Sequence, residues 1–258
     1  MPTVQLLLNY GNKNSIIMRK IIALILGITA FASAYAQDDK VFVHDNNAQP
    51  RDIGSSFTGI TVSGAIDLYL SQSDEEAVVV SAVDVKYREK IVTEVKKGIL
   101  NIYFDGKGFN WNAGDKKLKA YVSFKNISTL SASGSSDIYA NGVIKVESLH
   151  LALSGSSDFK GAVDVAELSL DQSGSSDSQI SGRADKVNIN VSGASDVKGY
   201  DLITDYCEAN ASGASDIQLT INKEVNAIAS GSSDVYYKGN AVVKNVRSSG
   251  SSSVRRKD

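Results

Sequence analysis

Ser154-Gly155-Ser156-Ser157-Asp158 returns, with small changes, at nearly constant intervals along the chain. Successive copies are separated by 21, 19, 19, 20, 18 and 19 residues, counted between their central glycines. A fixed period near 20 residues is typical of a solenoid, in which each repeat is one coil that cannot bury its apolar face alone. The copies are centred on Gly134, Gly155, Gly174, Gly193, Gly213 and Gly231, with an altered last copy at Gly250.

Apolar residues occupy every second position on both sides of each copy, which is the spacing of a strand with one buried face. The column four residues before glycine is apolar throughout, and the columns six and two residues before it are mostly apolar, with Gln172 and Ser248 as exceptions in the latter. The column four residues after glycine is apolar apart from Ser178. The sequence therefore predicts an all-β fold, a right-handed parallel β-helix with coils of about 19–20 residues stacked about 4.8 Å apart.

The small residues of the motif indicate a tight corner. Glycine permits backbone angles that are closed to other residues, and serine and aspartate can hydrogen-bond nearby backbone groups. The position after glycine is only ever serine or alanine, which predicts that it has little room.

The aspartates of the motif form one column, in which neighbouring charges would repel by roughly 0.9 kcal/mol in water. We interpret the column as a stack of corner turns. The alternative is a row of carboxylates that binds cations weakly or contacts sugar hydroxyls, although the glycine-rich nonapeptide of calcium-binding solenoids is absent. These candidate residues are Asp137, Asp158, Asp177, Asp196, Asp216 and Asp234.

The first 36 residues have the pattern of an export signal. Met18-Arg19-Lys20 is a basic start, an apolar run follows to Ala32, and Ala34-Tyr35-Ala36 is a cleavage site of the A-x-A type. We expect residues 1–17 to be an upstream extension and cleavage to follow Ala36. Removal of residues 1–36 would leave 24 lysines and arginines against 29 acidic residues. A mildly acidic chain of this kind does not indicate nucleic-acid binding, and we expect no membrane span in it.

The remaining boundaries follow from composition and pattern. We expect a flexible lead-in over 37–52, an N-terminal cap with the first β coils and a hairpin over 53–126, regular coils over 127–254, and a charged tail over 255–258. Phe109 and Trp111 lie in a loop rich in glycine, asparagine and lysine. They are candidates for ligand contact, and the alternative is that they plug the end of the solenoid.

Candidate catalytic and cofactor residues are sparse. The two histidines, His44 and His150, are far apart in sequence, and the single cysteine, Cys207, falls in an apolar column. This set does not suit zinc or a hydrolase triad, and no phosphate-binding loop or dinucleotide fingerprint occurs. We therefore expect no catalytic residue, no metal and no cofactor.

The chain resembles the auto-transporter adhesin, head GIN domain family over roughly residues 53–250. The similarity lies in Phe57-x-Gly59-Ile60-x-Val62-Ser63-Gly64, Gly98-Ile99-Leu100-Asn101-Ile102, Tyr121-Val122-Ser123-Phe124 and the repeated motif, in that order. The resemblance implies a right-handed β-helix from a Bacteroidetes-type, Gram-negative bacterium, and an adhesive role without a defined active site.

We thus expect an exported binding or structural protein of the cell envelope that presents a repetitive face, located in the periplasm, at the outer membrane or outside the cell. Its partner would be a glycan or another envelope or surface component. The alternative is a β-helix enzyme that cleaves polysaccharides with paired carboxylates.

Overall fold

The computed structural model describes Asp45, residues 47–108 and residues 116–258. This part of the chain contains sixteen strands and one short helix, α1 (Val85–Arg88). The strands are β1 (Gln49–Arg51), β2 (Gly59–Ser63), β3 (Ile66–Gln72), β4 (Ala77–Ser81), β5 (Ile91–Lys96), β6 (Ile99–Phe104), β7 (Leu118–Phe124), β8 (Thr129–Ser133), β9 (Ile138–Leu153), β10 (Phe159–Gln172), β11 (Asp177–Val191), β12 (Asp196–Ala211), β13 (Asp216–Gly231), β14 (Asp234–Lys238), β15 (Val242–Gly250) and β16 (Ser253–Arg256).

The long strands from β9 to β13 pair in parallel, each with the strand one coil later, which confirms the predicted parallel solenoid. The pairing aligns the predicted columns. Leu151, Leu170, Ile189 and Ala209 lie opposite one another in successive strands, and each is buried. Burial of such columns provides the hydrophobic stabilisation that a single coil lacks.

Cys207 lies in the apolar column with Val187 and Val225, as expected from its spacing. It is buried and unpaired, and burial raises the pKa of its thiol to about 12. Cys207 is therefore a small apolar side chain of the core and not a reactive thiolate.

The first coil in sequence is not the first coil in space. Strand β2 pairs in parallel with both β6 and β8, and β3 pairs in parallel with both β7 and β9. The coil made by β2 and β3 is therefore inserted between two coils that come later in the chain. Ile60 lies opposite Leu130 and Leu68 opposite Ile138, so this coil keeps the apolar columns although its corner, Ser63-Gly64-Ala65-Ile66-Asp67, departs from the repeated motif.

Antiparallel strands extend the sheet beyond this inserted arrangement. Strand β5 pairs with β6 as a hairpin, β4 pairs with β7, and β1 pairs with β4. Between β4 and β5, α1 begins after Asp84, whose side chain accepts a hydrogen bond from the backbone N–H of Lys86. These elements supply the apolar neighbours Val78 and Val80 at the N-terminal end of the stack.

The expectation of a flexible lead-in through residue 52 is wrong at its end. Gln49–Arg51 form β1, and Arg51 donates a hydrogen bond from Nη2 to the carbonyl of Arg88. The expected tail from residue 255 is also too long, because Arg255 and Arg256 pair with Tyr236 and Tyr237 in the last parallel ladder. In both places the backbone forms a paired strand although the side chains are polar or charged.

Candidate functional site

The aspartate column runs along one corner of the solenoid as predicted, and backbone groups engage its carboxylates. Asp177, Asp196, Asp216 and Asp234 are in register in successive coils. Oδ1 of each aspartate from Asp137 to Asp216 accepts the backbone N–H of the aspartate in the next coil, at 2.9–3.3 Å. Each carboxylate thus satisfies a corner amide, which offsets the repulsion between neighbouring charges.

The second carboxylate oxygens have varied partners. Oδ2 of Asp137 accepts from the Tyr139 hydroxyl at 3.3 Å, and Oδ2 of Asp177 lies 3.2 Å from Nζ of Lys198. Among the residues that the structure describes, no group of three or more His, Cys, Asp or Glu side chains is arranged to hold a metal ion. Weak cation binding by the column stays a prediction.

The pKa values of two aspartates in the column are shifted in opposite directions. Hydrogen bonds from the hydroxyls of Ser253 and Tyr236 lower the pKa of Asp234, whereas burial raises the pKa of Asp216. The column is therefore not a uniform row of equivalent acids.

A second ladder of the motif was missed by the sequence reasoning. The serine two positions after glycine is completely buried in the first six copies, and in four cases its Oγ accepts the backbone N–H of the equivalent residue one coil earlier, at 3.1–3.3 Å. We call this the serine ladder: Ser136, Ser157, Ser176, Ser195, Ser215 and Ser233.

The expectation that the position directly after glycine is confined is wrong, because that residue is exposed in every coil. The invariance of serine at the following position was the signal for the confined site. The position directly after glycine is serine or alanine, whereas the position two residues after glycine is serine in all seven copies.

Phe109 and Trp111, the predicted ligand-contact residues, lie outside the described residues, so their role stays a prediction.

Outward side chains of the strands that precede the motif line a shallow groove on one face. Two concavities of about 460 and 510 Å³ cross strands β9 to β13 on this sheet. We call this surface the polar groove. Its lining includes the outward side chains His150, Glu167, Ser169, Asp171, Lys186, Asn188, Asn190, Glu208, Asn210, Glu224, Asn226 and Ile228.

Hydrogen bonds between coils orient part of the groove. Asn210 donates from Nδ2 to Oδ1 of Asn190 at 3.0 Å, and Asn190 donates in the same way to Asp171 at 2.8 Å. The three side chains form a row in which every bond points the same way, which fixes the direction of each amide. Each amide keeps a second N–H for a ligand, since the NH₂ group has two donors.

His150 is less isolated than its sequence position predicts. Its Nε2 lies 3.7 Å from Oδ2 of Asp171, and its strand register places it opposite Ser169. Register between coils creates this neighbourhood, which the spacing within one strand does not show. Glu167 and Glu224, in the same groove, form ion pairs with Lys186 and Lys244.

Three tyrosines form a stacked row on the sheet that follows the motif. Tyr69 lies between Tyr121 and Tyr139, with ring centroids 5.1 and 5.2 Å apart and ring planes within 20° of parallel. Burial is the main cause that raises the pKa of Tyr121 and of Tyr139 to about 12. We call Tyr121, Tyr69 and Tyr139 the tyrosine ladder.

Within the part of the chain that the structure describes, no helix is long and apolar enough to span a membrane.

Comparisons with known structures agree on the fold. A "putative adhesin" from Bacteroides fragilis NCTC 9343 superposes with a TM-score of 0.72 at 17% identity, covering 81% of this chain and 96% of that one. A "putative lipid binding protein" from Parabacteroides distasonis ATCC 8503 gives 0.61 at 22% identity, covering 83% and 98%. A "putative adhesin" from the same strain gives 0.63 at 20% identity, also covering 83% and 98%.

No protein with a curated description matches the chain significantly. The family model described as "Putative auto-transporter adhesin, head GIN domain" matches residues 56–241, which span both the inserted first coil and the repeated corners. The chain therefore belongs to the auto-transporter adhesin, head GIN domain family.

Proposed function

We propose that this protein is an exported, adhesin-like protein of the cell envelope that binds its partner through the polar groove. The observation that carries the proposal is the Asp171–Asn190–Asn210 row, in which hydrogen bonds between coils hold polar groups at a regular interval. An oriented row of this kind suits a long partner, because each coil adds one similar weak contact and affinity grows with the number of coils engaged.

The chemistry of the groove favours a glycan or another polyhydroxylated envelope component. Serine and asparagine side chains offer both donors and acceptors, and the charges of Glu167 and Glu224 are offset by lysines. Family membership supports an adhesive role.

The test is a glycan array probed with the purified protein and with the double variant Asn190→Ala/Asn210→Ala. We expect the parent to bind a subset of polysaccharides and the double variant to lose most of that signal. Lys86→Ala on α1 is the control, since Lys86 lies outside the groove, and it should bind like the parent. Equal binding by the double variant would show that the groove is not the contact surface.

Export is a separate part of the proposal, supported by the pattern of residues 18–36. The mature chain should begin at Gln37, which intact-mass measurement of the protein from its native host would show. Retention of the segment from Met18 would contradict it. Protease treatment of intact cells then distinguishes a periplasmic location from a surface location, because only a surface protein is accessible.

The alternative function is cleavage of a polysaccharide, and the contact between His150 and Asp171 is the observation that favours testing it. A reducing-end assay on the polysaccharides bound in the array would detect such an activity, and His150→Ala should abolish it. Binding without release of new reducing ends, in parent and variant alike, would leave the binding function alone.

A further inference from the structure

We propose that the tyrosine ladder is a binding site for a neutral glycan, separate from the polar groove and on the other side of the motif corner. The inference rests on the proposed binding function and adds to it a second surface with a stated ligand class.

The geometry of the rings is the first support. Rings in contact lie about 3.5–4.0 Å apart, so centroids 5.1 and 5.2 Å apart mean that each ring is displaced sideways across its neighbour. Part of each ring face is therefore not covered by the next ring. Tyr121, Tyr69 and Tyr139 are partly exposed, so the row presents three successive aromatic surfaces of the kind on which the C–H face of a sugar ring stacks.

The side chains on either side of the ladder are the second support. Asp67 and Asp137 precede Tyr69 and Tyr139 by two residues and lie on the same outward face, while Ser71 and Asn141 follow by two and are in register with each other. The aromatic row is thus bordered on both sides by hydrogen-bonding groups. A sugar that stacks on a ring directs its hydroxyls sideways, where such groups lie.

The charges around the ladder favour a neutral ligand. Asp67 and Asp137 are matched by Lys119, which is in register with Asp67, and by Lys160, which is in register with Tyr139. With Asp45, whose charge also acts on Tyr121, three carboxylates stand against two ammonium groups, and this slightly negative surface does not attract an anionic polymer. The spacing of the rings along the solenoid is close to the length of one hexose unit in an extended chain, so a linear glycan would lie along the ladder.

The chain supplies a matched control for this site. Tyr236 occupies the same column of the same sheet, but its neighbours in register are Gln218 and Arg255, so no aromatic ring is stacked on it through the ladder pairing. A tyrosine in the same backbone setting without aromatic residues in register separates the contribution of the ladder from that of any outward tyrosine.

The test is affinity gel electrophoresis of the protein through gels that contain laminarin, mannan or xylan, with alginate as the anionic polymer. We expect at least one neutral polymer to retard the parent and alginate to have little effect. Tyr69→Leu should weaken the retardation roughly fivefold to tenfold, because it keeps apolar bulk but removes the middle ring. Tyr69→Phe keeps the ring and should remain within about twofold of the parent.

Tyr236→Leu should migrate like the parent in every gel, and thermal melts should show that all variants are folded. Retardation of Tyr69→Leu equal to that of Tyr69→Phe, or retardation by alginate alone, would overturn the inference. So would normal migration of the parent in all neutral gels. That outcome would leave the proposed function intact if Asn190→Ala/Asn210→Ala still abolished array binding, so the two failures can be told apart.

Discussion

In the serine ladder, a single buried hydroxyl oxygen contributes measurably to the stability of a corner. Ser176 is completely buried, its Oγ accepts the N–H of Ser157 at 3.3 Å, and its own N–H donates to Ser195 at 3.1 Å. An alanine there would leave the amide of Ser157 buried without its acceptor. Leaving a buried donor unsatisfied costs more than a hydrogen bond contributes on average, because the group also loses its contact with water.

We therefore expect Ser176→Ala to lower the free energy of unfolding by about 1–3 kcal/mol. The matched control is Ser175→Ala, one residue earlier in the same corner, where the side chain is exposed. Urea titration of the two variants is the measurement. Similar midpoints for both would show that the buried hydroxyl is not needed.

The two shifted aspartates predict opposite pH dependence. The folded pKa of Asp216 is raised by burial, so its stabilising contribution is present below the unfolded pKa, near 3.8, and is lost as pH rises through the folded pKa. Asp216→Asn keeps an oxygen for the Asp234 amide and removes the partly buried charge. It should melt slightly higher than the parent at pH 7 and at the same temperature at pH 3.

Asp234→Asn should behave in the opposite way. Hydrogen bonds from Ser253 and Tyr236 lower the folded pKa of Asp234, so its contribution is present above pH 3.8 and is lost as pH falls through the folded pKa. The variant should melt lower than the parent at pH 7 and like it near pH 2. Because both side chains are only partly buried, solvent screening limits each effect to a few tenths of a kcal/mol, on the order of a surface ion pair. Shifts of the same sign at pH 7 would contradict this assignment.

The corner between two strands depends on glycine for two reasons. Gly155 has φ near +81°, and a Cβ built on it would lie 2.5 Å from the carbonyl oxygen of Gly134 in the preceding coil. That same oxygen accepts the backbone N–H of Ser156 at 2.8 Å. A side chain would thus both strain the backbone and push apart two coils that are hydrogen-bonded at this point.

We expect Gly155→Ala to destabilise the protein by about 3 kcal/mol or more. Gly142 separates the two causes, since its φ is +80° but a Cβ there would meet no atom within 4 Å. Gly142→Ala should cost only the backbone term of about 1–2 kcal/mol. Thermal melts compare the two variants, and equal costs would show that the close approach of the coils does not matter.

The repeated strands could be predicted because the same period-two pattern occurs in every copy, so polar exceptions at single positions such as Gln172 and Ser178 did not change the predicted register. Burial of the serine ladder could not be predicted from an apolar pattern, since serine is usually exposed. The only signal in the sequence is that serine occurs at this position in all seven copies. The contact between His150 and Asp171 could have been predicted, because aligning the columns of adjacent coils places the two residues close together.

The insertion of the β2–β3 coil between later coils could not be predicted from the column pattern. The apolar columns of the β2–β3 coil match those of any other coil, so they fix its side-chain orientation and not its place in the stack. The place depends on how β4, α1 and β5 route the chain around the coil of β6 and β7. The polar groove and the tyrosine ladder likewise depend on which outward side chains meet between coils.

Stability should vary from coil to coil along the whole stack. A coil in a solenoid is stabilised by its two neighbours, so a coil with one neighbour should open more readily. Strand β15 pairs with β13 on one side, and each of its residues is exposed, including Val242 at 60% and Val243 at 48%. Strand β11 pairs with β10 and β12, and Val187 and Ile189 in it are buried.

Native-state hydrogen exchange measures this difference directly. Amides of Val242–Gly250 should exchange at least on the order of tenfold faster than those of Val187 to Val191, because opening β15 breaks one ladder and exposes little additional apolar surface. Protection should rise across β13, which still has a neighbour on both sides. Uniform protection from β11 to β15 would mean that the solenoid opens as one cooperative unit, and the stability of its coils could then not be treated as a sum of contacts between neighbours.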